Sequence, residues 1–146
     1  MPRPRAGPQA RVLSWRAALP MVIGIGLDLV DTARVARALE RFGERFVAKL
    51  MDPPEAGRLP GEPGPRARAL AEAVAAKEAA SKALGTGWSR GVRWRDVVLE
   101  PGAAPALRLL GRAAEVARQL GSDGSTLVEL EWREGVAVGR VALLRP

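Results

Sequence analysis

The segment ARALAEAVAAKEAASKALGTG, residues 67–87, has the strongest local pattern in this chain. Its alanines and its unbranched Leu, Glu and Lys side chains favour a helix over residues 67–84, which Gly85 is expected to end. Alanine lets a neighbouring backbone approach closely, so Glu78 is expected to lie in a partly desolvated setting. We expect a small antiparallel sheet to pack against this long helix.

The segment VIGIGLDLV, residues 22–30, is expected to be a buried strand because it is almost entirely apolar. In an extended chain Gly24, Gly26 and Asp28 fall on one side, which another backbone can approach closely. Asp28 interrupts the apolar run. Its carboxylate must therefore face solvent, cap another element or be compensated by a cation.

The C-terminal third of the chain contains further strand patterns. Residues 125–133 and 136–144 predict a hairpin whose first strand alternates apolar and charged side chains. A strand over residues 92–99 and an amphipathic helix over residues 111–120 are expected before it. Together these segments indicate one α+β domain over residues 21–146.

A further helix is predicted from Asp31 or Thr32 to about Leu50, because both residues are good N-caps. Its arginines recur at helical spacing and are expected to form one ridge: Arg34, Arg37, Arg41 and Arg45. The ridge is either a solvated face, partly neutralised by Glu40 and Glu44, or a surface for an acidic partner. The spacing alone leaves both interpretations open.

The absence of cysteine, histidine and tyrosine is the most informative feature of the composition. It excludes a zinc cage, a Ser-His-Asp relay, a cysteine nucleophile and an imidazole base. Carboxylates remain, and they favour a hard cation such as Mg²⁺ bound together with substrate phosphate oxygens. Phosphate chemistry is therefore the leading class.

The net charge of +7 is concentrated at the N-terminus. Four arginines lie within residues 1–20, a stretch that we expect to be a flexible basic extension. Residues 21–146 hold nineteen basic and sixteen acidic residues, a net charge of +3. That modest charge, with few aromatic residues for base stacking, gives little support to a nucleic-acid-binding module.

No segment has the length and apolar character of a membrane span, and the short apolar run before Asp28 lacks the features of a signal peptide. The absence of cysteine fits a reducing compartment. We therefore expect a cytoplasmic protein that has neither a membrane nor a nucleic acid as its partner.

Two motifs in the long helix and after it each have a structural and a functional interpretation. Glu78 and Lys82 are four residues apart, so they form either an ordinary helix salt bridge or parts of a site. In such a site Glu78 joins Asp28 on Mg²⁺ and Lys82 neutralises a substrate phosphate. The loop Gly85-Thr86-Gly87 is either a helix stop or a loop whose amides approach a ligand.

In their order along the chain, GIGLDLV, the arginine-bearing helix and AAKEAASKALGTG resemble the holo-acyl-carrier-protein synthase family. The resemblance covers nearly all of residues 21–146. It implies a 4'-phosphopantetheinyl transferase-like fold and Mg²⁺-dependent transfer of 4'-phosphopantetheine from coenzyme A to a serine of an acidic acyl carrier protein. It also implies release of 3',5'-ADP and a homotrimer with its sites between subunits. The carrier belongs to fatty acid biosynthesis or to polyketide synthesis.

The resemblance also assigns roles to individual residues. Asp28 and Glu78 match the metal ligands, and Glu78 and Lys82 are the expected catalytic residues. The coenzyme A side is formed by Lys82, Gly85, Thr86 and Gly87. The resemblance implies that the carrier protein binds Arg34, Arg37, Arg41 and Arg45. Of these, Arg34 matches a carrier-binding arginine of the family. A serine proton is accepted by Glu78 or by a water on the metal.

Two departures from the family pattern affect the expected activity. The usual Arg-Phe before the Ala-Ala-Lys-Glu segment is Ala73-Val74, which removes a phosphate contact. Trp132 stands where the family has a histidine in the terminal hairpin. A catalytically weakened homologue that binds carrier protein or coenzyme A without efficient transfer is therefore an alternative.

Overall fold

The computed structural model describes residues 19–146. The predicted basic extension over residues 1–20 lies almost entirely outside the described residues and stays a prediction. The elements in chain order are β1 Met21–Asp31, α1 Thr32–Phe42, α2 Glu44–Leu50, α3 Pro53–Ala56, α4 Pro63–Ala83, β2 Val97–Glu100, β3 Ala106–Leu109, α5 Gly111–Gln119, β4 Thr126–Arg133 and β5 Val136–Arg145. A short 3₁₀ turn, Trp94–Asp96, leads into β2.

Two antiparallel sheets form, as the α+β prediction requires. The larger sheet has the strand order β1-β5-β4, and β2 pairs with β3 in the smaller one. The predicted terminal hairpin is confirmed as β4 and β5. Its two-residue turn, Glu134-Gly135, has positive φ at both positions (51° and 82°), the geometry that matches the twist of a hairpin. Strand β5 pairs with β4 across this turn and with β1 on its other edge, so it is the central strand of the sheet.

Helix α4 packs on the larger sheet almost backbone to backbone. A Cβ atom added at Gly26 would lie 1.8 Å from the Ala79 carbonyl oxygen, so no side chain fits there. Three glycines of the sheet meet three alanines spaced by four residues on the helix, namely Gly24 with Ala83, Gly26 with Ala79 and Gly139 with Ala75. The close approach expected from the Gly and Ala patterns is confirmed. It brings the polar end of β1 directly beside α4.

The predicted helix from Thr32 to Leu50 is interrupted. Helix α1 ends at Phe42, and Gly43 has φ 56° and ψ −137°, which is incompatible with helix continuation. Helix α2 begins at Glu44. The prediction of one ridge of four arginines is therefore wrong in one respect: Arg45 lies on a separate helix from the other three.

Three further differences concern element boundaries. Helix α4 begins at Pro63, four residues before the predicted start, because proline is well tolerated in the first turn. The predicted strand over residues 92–99 is extended only from Val97, since the preceding residues form the 3₁₀ turn. Strand β3 was not expected as a strand. No helix described within residues 19–146 is long and apolar enough to cross a membrane.

Candidate active site

One pocket of about 380 Å³ brings together residues that are far apart in the sequence. Its lining includes Asp28 from β1, Arg34 from α1 and Glu78 from α4. Asp28 lies on the same side of β1 as Gly24 and Gly26, where the strand runs against the helix. The glycine–alanine contact is therefore what carries the two carboxylate-bearing residues to one pocket.

Lys82 contacts Asp28 across this junction. The Lys82 ammonium lies 2.9 Å from Asp28 Oδ1 and also donates to the Leu27 carbonyl at 2.9 Å. About half of the Lys82 side chain is exposed, compared with 20% of the Asp28 side chain. The ordinary helix salt bridge between Glu78 and Lys82 is not formed. Asp28, which interrupts an apolar strand, is instead compensated by a cation from α4.

Glu78 is half-buried on the wall of the pocket. Its side chain makes no salt bridge or hydrogen bond with any residue in the described range 19–146. Asp31 lines the same pocket, but its Oδ1 accepts the Ala33 amide at 2.9 Å and caps α1. Of the three acids at the pocket, Glu78 is thus the one without a protein partner in the part of the chain that is described.

The donor set at this pocket fits a hard divalent cation. Asp28 and Glu78 offer only carboxylate oxygens, which are the ligands that Mg²⁺ prefers. Within residues 19–146 there is no cluster of three or more His, Cys, Asp or Glu that could enclose a metal. An ion held by two carboxylates would take its remaining ligands from water and from a phosphate-bearing substrate, which is the usual pattern for Mg²⁺.

The Gly85-Thr86-Gly87 loop ends α4. The Gly85 amide donates to the Lys82 carbonyl at 3.0 Å, and the Thr86 and Gly87 amides both donate to the Ser81 carbonyl at 3.2 Å. Gly85 and Gly87 have φ of 77° and 55°, which favours glycine at both positions. The helix-stop interpretation is confirmed. Because all three amides are used, a ligand at this loop would be contacted by other groups.

The predicted docking arginines are all exposed. None lies within 4.0 Å of a carboxylate among residues 19–146. Glu44, which was expected to neutralise part of the ridge, forms a salt bridge of 2.8 Å with Arg66 instead. Arg41 packs over the Phe42 ring at 5.1 Å, and Arg34 lines the same pocket as Asp28 and Glu78. The ridge on α1 is therefore a positive surface without internal neutralisation by described residues.

Trp132 is built firmly into the fold. Its indole Nε1 donates to the Thr32 hydroxyl at 3.0 Å, and the Arg68 guanidinium lies 4.4 Å from the ring centroid. The other departure from the family pattern is also part of the packed fold, since Ala73 is buried and Val74 lines the pocket that contains Asp28 and Glu78. Neither position supplies an ionisable group.

The sequence and the fold together correspond to a known class of transferase. A model of the 4'-phosphopantetheinyl transferase superfamily matches residues 24–136, and the chain belongs to this superfamily. It is therefore a transferase, as the sequence indicated.

Relatives within this superfamily are similar over most of their length. The holo-[acyl-carrier-protein] synthase of Methylobacterium sp. (strain 4-46) is 53% identical over 96 residues, 64% of this chain and 70% of that protein. The one from Halorhodospira halophila is 48% identical over 116 residues, 78% of this chain and 91% of that protein. The one from Acidithiobacillus ferrooxidans is 39% identical over 127 residues, 86% and 98% of the two chains. The resemblance to the holo-acyl-carrier-protein synthase family is confirmed.

Solved structures agree with this assignment. The holo-[acyl-carrier-protein] synthase of Neisseria meningitidis has a TM-score of 0.71 and 28% identity, and the match covers 84% of this chain and 98% of that one. The ACPS–CoA complex from Chronobacterium ammoniagenes has a TM-score of 0.67 and 25% identity over 84% and 96% of the two chains. The ADP-bound acyl carrier protein synthase of Plasmodium yoelii, at 23% identity, shares the fold with a TM-score of 0.77.

Proposed function

We propose that this chain is a holo-acyl-carrier-protein synthase, which transfers 4'-phosphopantetheine from coenzyme A to a serine of an apo-acyl carrier protein in the cytoplasm. The observation that carries the proposal is the pocket lined by Asp28, Glu78 and Arg34. It joins two possible metal ligands to the end of a positive surface. Relatives named holo-[acyl-carrier-protein] synthase, at 39% to 53% identity, support the same activity.

Asp28 and Glu78 are proposed to hold Mg²⁺, and the ion, when bound, supplies positive charge beside the diphosphate of coenzyme A. Lys82 is proposed to bind a phosphate oxygen. Its ammonium lies beside Asp28 and its side chain is half exposed, so a rotation of the side chain would free the ammonium for a ligand. Gly85, Thr86 and Gly87 then border the coenzyme A side through their non-amide atoms.

The proposed reaction moves one phosphoryl-linked arm. The carrier serine oxygen forms a bond to the β-phosphorus of coenzyme A, and the bond from that phosphorus to the bridging oxygen breaks. The electron pair leaves with 3',5'-ADP. The serine proton is accepted by Glu78, because Glu78 has no protein partner within residues 19–146 and no histidine exists in the chain. The nucleophile is the carrier serine, so this chain supplies none of its own.

The carrier protein is proposed to dock on the exposed arginines of α1. Arg34, Arg37 and Arg41 have no carboxylate partner within residues 19–146, so their charge is available to an acidic protein. Arg45 on α2 would lie at the margin of this surface. Because Arg34 also lines the pocket, a carrier bound here would bring its serine towards Glu78.

A homotrimer is proposed as the assembled form. The side of the large sheet opposite α4 exposes apolar residues, with Ile25 75%, Leu27 55%, Leu29 64% and Leu127 60% exposed. Ile25, Ala142 and Leu127 lie side by side across the three strands. An exposed apolar row of this kind, continued along β1 by Leu27 and Leu29, favours an interface between subunits. Sedimentation of the purified protein tests this assembly, and a monomer would contradict it.

A weakened homologue is the second candidate, and Trp132 is the observation that favours it. The indole is held by Thr32 and Arg68, so it offers no proton-transfer group where the family has an imidazole. The mass of an apo-carrier protein incubated with the chain, coenzyme A and Mg²⁺ separates the candidates. A mass gain of one phosphopantetheine that does not occur when EDTA is present supports the synthase. Binding of both substrates without a mass gain supports the weakened homologue.

A further inference from the structure

A buried ion pair lies behind the active-site helix. Lys77, one residue before Glu78, is 0% exposed, and its ammonium donates to Glu55 Oε1 at 2.8 Å. The same ammonium donates to the Trp94 carbonyl at 3.2 Å and to the Val97 carbonyl. All three donor positions of the lysine are therefore used.

Glu55 completes the arrangement on its other side. Its side chain is only 4% exposed, and Oε2 accepts the Leu99 amide at 2.9 Å. The pair thus connects α3, α4, the 3₁₀ turn and β2. A buried ion pair is often no more stabilising than a well-packed apolar pair, because desolvation offsets the Coulomb attraction. Its directional bonds instead fix the relative position of four elements.

The 3₁₀ turn connects the ion pair to the loop that follows α4. The backbone carbonyl of Trp94 accepts a hydrogen bond from Lys77. The Trp94 ring stacks on the Trp88 ring with centroids 4.0 Å apart and an interplanar angle of 22°. Trp88 directly follows Gly87. Its indole Nε1 is buried without a hydrogen-bond partner among residues 19–146, so the stack holds the ring. A continuous set of contacts therefore runs from Lys77 to the Gly85–Trp88 loop.

We propose that Lys77 and Glu55 are positioning residues that fix the Gly85–Trp88 loop relative to Glu78 and thereby set the affinity for coenzyme A. This inference rests on the proposed function, in which that loop borders coenzyme A. Neither residue lines the active-site pocket, so both act through the tryptophan stack. Carrier binding on α1 does not depend on these contacts.

The test uses the full chain carrying Glu55→Gln, which retains the side-chain shape but leaves one acceptor where the carboxylate offers two. Glu72→Gln is the matched control, because it makes the same chemical change on an exposed salt bridge of α4. Stacked indoles couple excitonically, so circular dichroism reports the Trp88–Trp94 stack. A Trp94→Phe spectrum supplies the uncoupled reference. Calorimetry measures the Kd of coenzyme A and of apo-carrier protein.

For Glu55→Gln we expect a weaker circular-dichroism exciton signal from the two tryptophans, which is called the couplet below. We also expect the Kd for coenzyme A to rise about tenfold while carrier affinity is unchanged. The Glu72→Gln control should show neither change. A folded variant with an intact couplet and wild-type coenzyme A affinity would overturn the proposal, as would equal losses for both ligands.

If Glu55→Gln does not fold, the Trp88→Ala variant tests the proposal instead. It must weaken coenzyme A binding and spare carrier binding, and an unchanged coenzyme A Kd would overturn the proposal. If the wild type binds no coenzyme A, the proposed function fails, and the couplet alone shows whether the pair fixes the stack.

Discussion

The ammonium of Lys82 lies 2.9 Å from Asp28 Oδ1, a contact between two residues that are 54 positions apart in the sequence. The contact exists because α4 lies against the glycines of β1, which carries Asp28 to the helix. It leaves Glu78 as the unpaired carboxylate of the same pocket among the described residues. This arrangement has consequences for ligand binding, for stability and for partner recognition.

Replacing Lys82 is expected to weaken coenzyme A binding much more than it weakens the fold. Lys82→Met removes a cation proposed to meet a phosphate oxygen, so the Kd of coenzyme A measured by calorimetry should rise about tenfold or more. The free energy of unfolding should change by less than about 1 kcal/mol, because the Lys82 side chain is half exposed. Lys49→Met on α2 is the control. Equal coenzyme A affinity in both variants would remove Lys82 from the site.

The backbone contact between β1 and α4 is expected to tolerate no side chain. In Gly26→Ala the added methyl would lie 1.8 Å from the Ala79 carbonyl oxygen, so the helix must move away from the sheet. We expect a loss of about 3 kcal/mol or more in urea unfolding. Gly61→Ala, where no atom lies within 4 Å, should cost less than about 0.5 kcal/mol. Similar stabilities of the two variants would show that the close packing is not required.

Stability in the alkaline range is expected to report on Lys77. Burial lowers the pKa of Lys77 below the ordinary lysine value of 10.5, although Glu55 partly offsets this effect. Between its folded pKa and 10.5 the unfolded chain binds more protons than the folded one, so the free energy of unfolding should rise with pH. The chain contains no histidine, cysteine or tyrosine to obscure this slope.

Urea unfolding at a series of pH values from about 8 to about 10 measures this dependence. The double variant Lys77→Met/Glu55→Gln should lose the part of the slope contributed by Lys77, which is at most about 1.4 kcal/mol per pH unit. The other two lysines, Lys49 and Lys82, remain in both proteins. Identical slopes would mean that Lys77 titrates as it does in the unfolded chain.

Charge reversal on α1 is expected to impair carrier recognition and leave coenzyme A binding intact. Arg37→Glu replaces an exposed guanidinium that has no carboxylate partner in the described part of the chain. The KM for the carrier should rise about fivefold to fiftyfold at low salt, with a smaller effect at high salt. Arg118→Glu at the end of α5 makes the same charge change elsewhere. An equal effect of both variants would point to net charge rather than to a docking surface.

The sequence predicts most of this fold because its main signals are local. The apolar run of β1, the alternation in the first strand of the terminal hairpin and the Ala-rich pattern of α4 are properties of neighbouring residues. The expected burial of β1 is wrong on one face, where Ile25, Leu27 and Leu29 are exposed, because only the face with the glycines packs against α4. The break at Gly43 was missed because an apolar period continues through Phe42 and Phe46, and only the backbone angles of Gly43 interrupt it. Short irregular segments such as the 3₁₀ turn carry no comparable periodicity.

The contacts that organise the site were harder to predict because they depend on tertiary packing. Glu78 and Lys82 have favourable helical spacing, yet Lys82 pairs with Asp28, which only the packing of β1 brings within reach. The pair of Lys77 and Glu55 joins residues 22 positions apart, and nothing in the local pattern distinguishes Lys77 from an exposed helical lysine. The resemblance to a known family supplied Asp28 and Glu78 as one site, which spacing alone left open.

The most direct test of the shared site is the Mg²⁺ dependence of coenzyme A binding, measured by calorimetry with and without EDTA. In the wild type, Mg²⁺ should tighten coenzyme A binding by about a hundredfold, and Glu40→Ala, an exposed acid on α1, should behave in the same way. Asp28→Ala and Glu78→Ala should each lose that dependence while they remain folded. If both variants keep the full Mg²⁺ effect, these two carboxylates do not hold the ion.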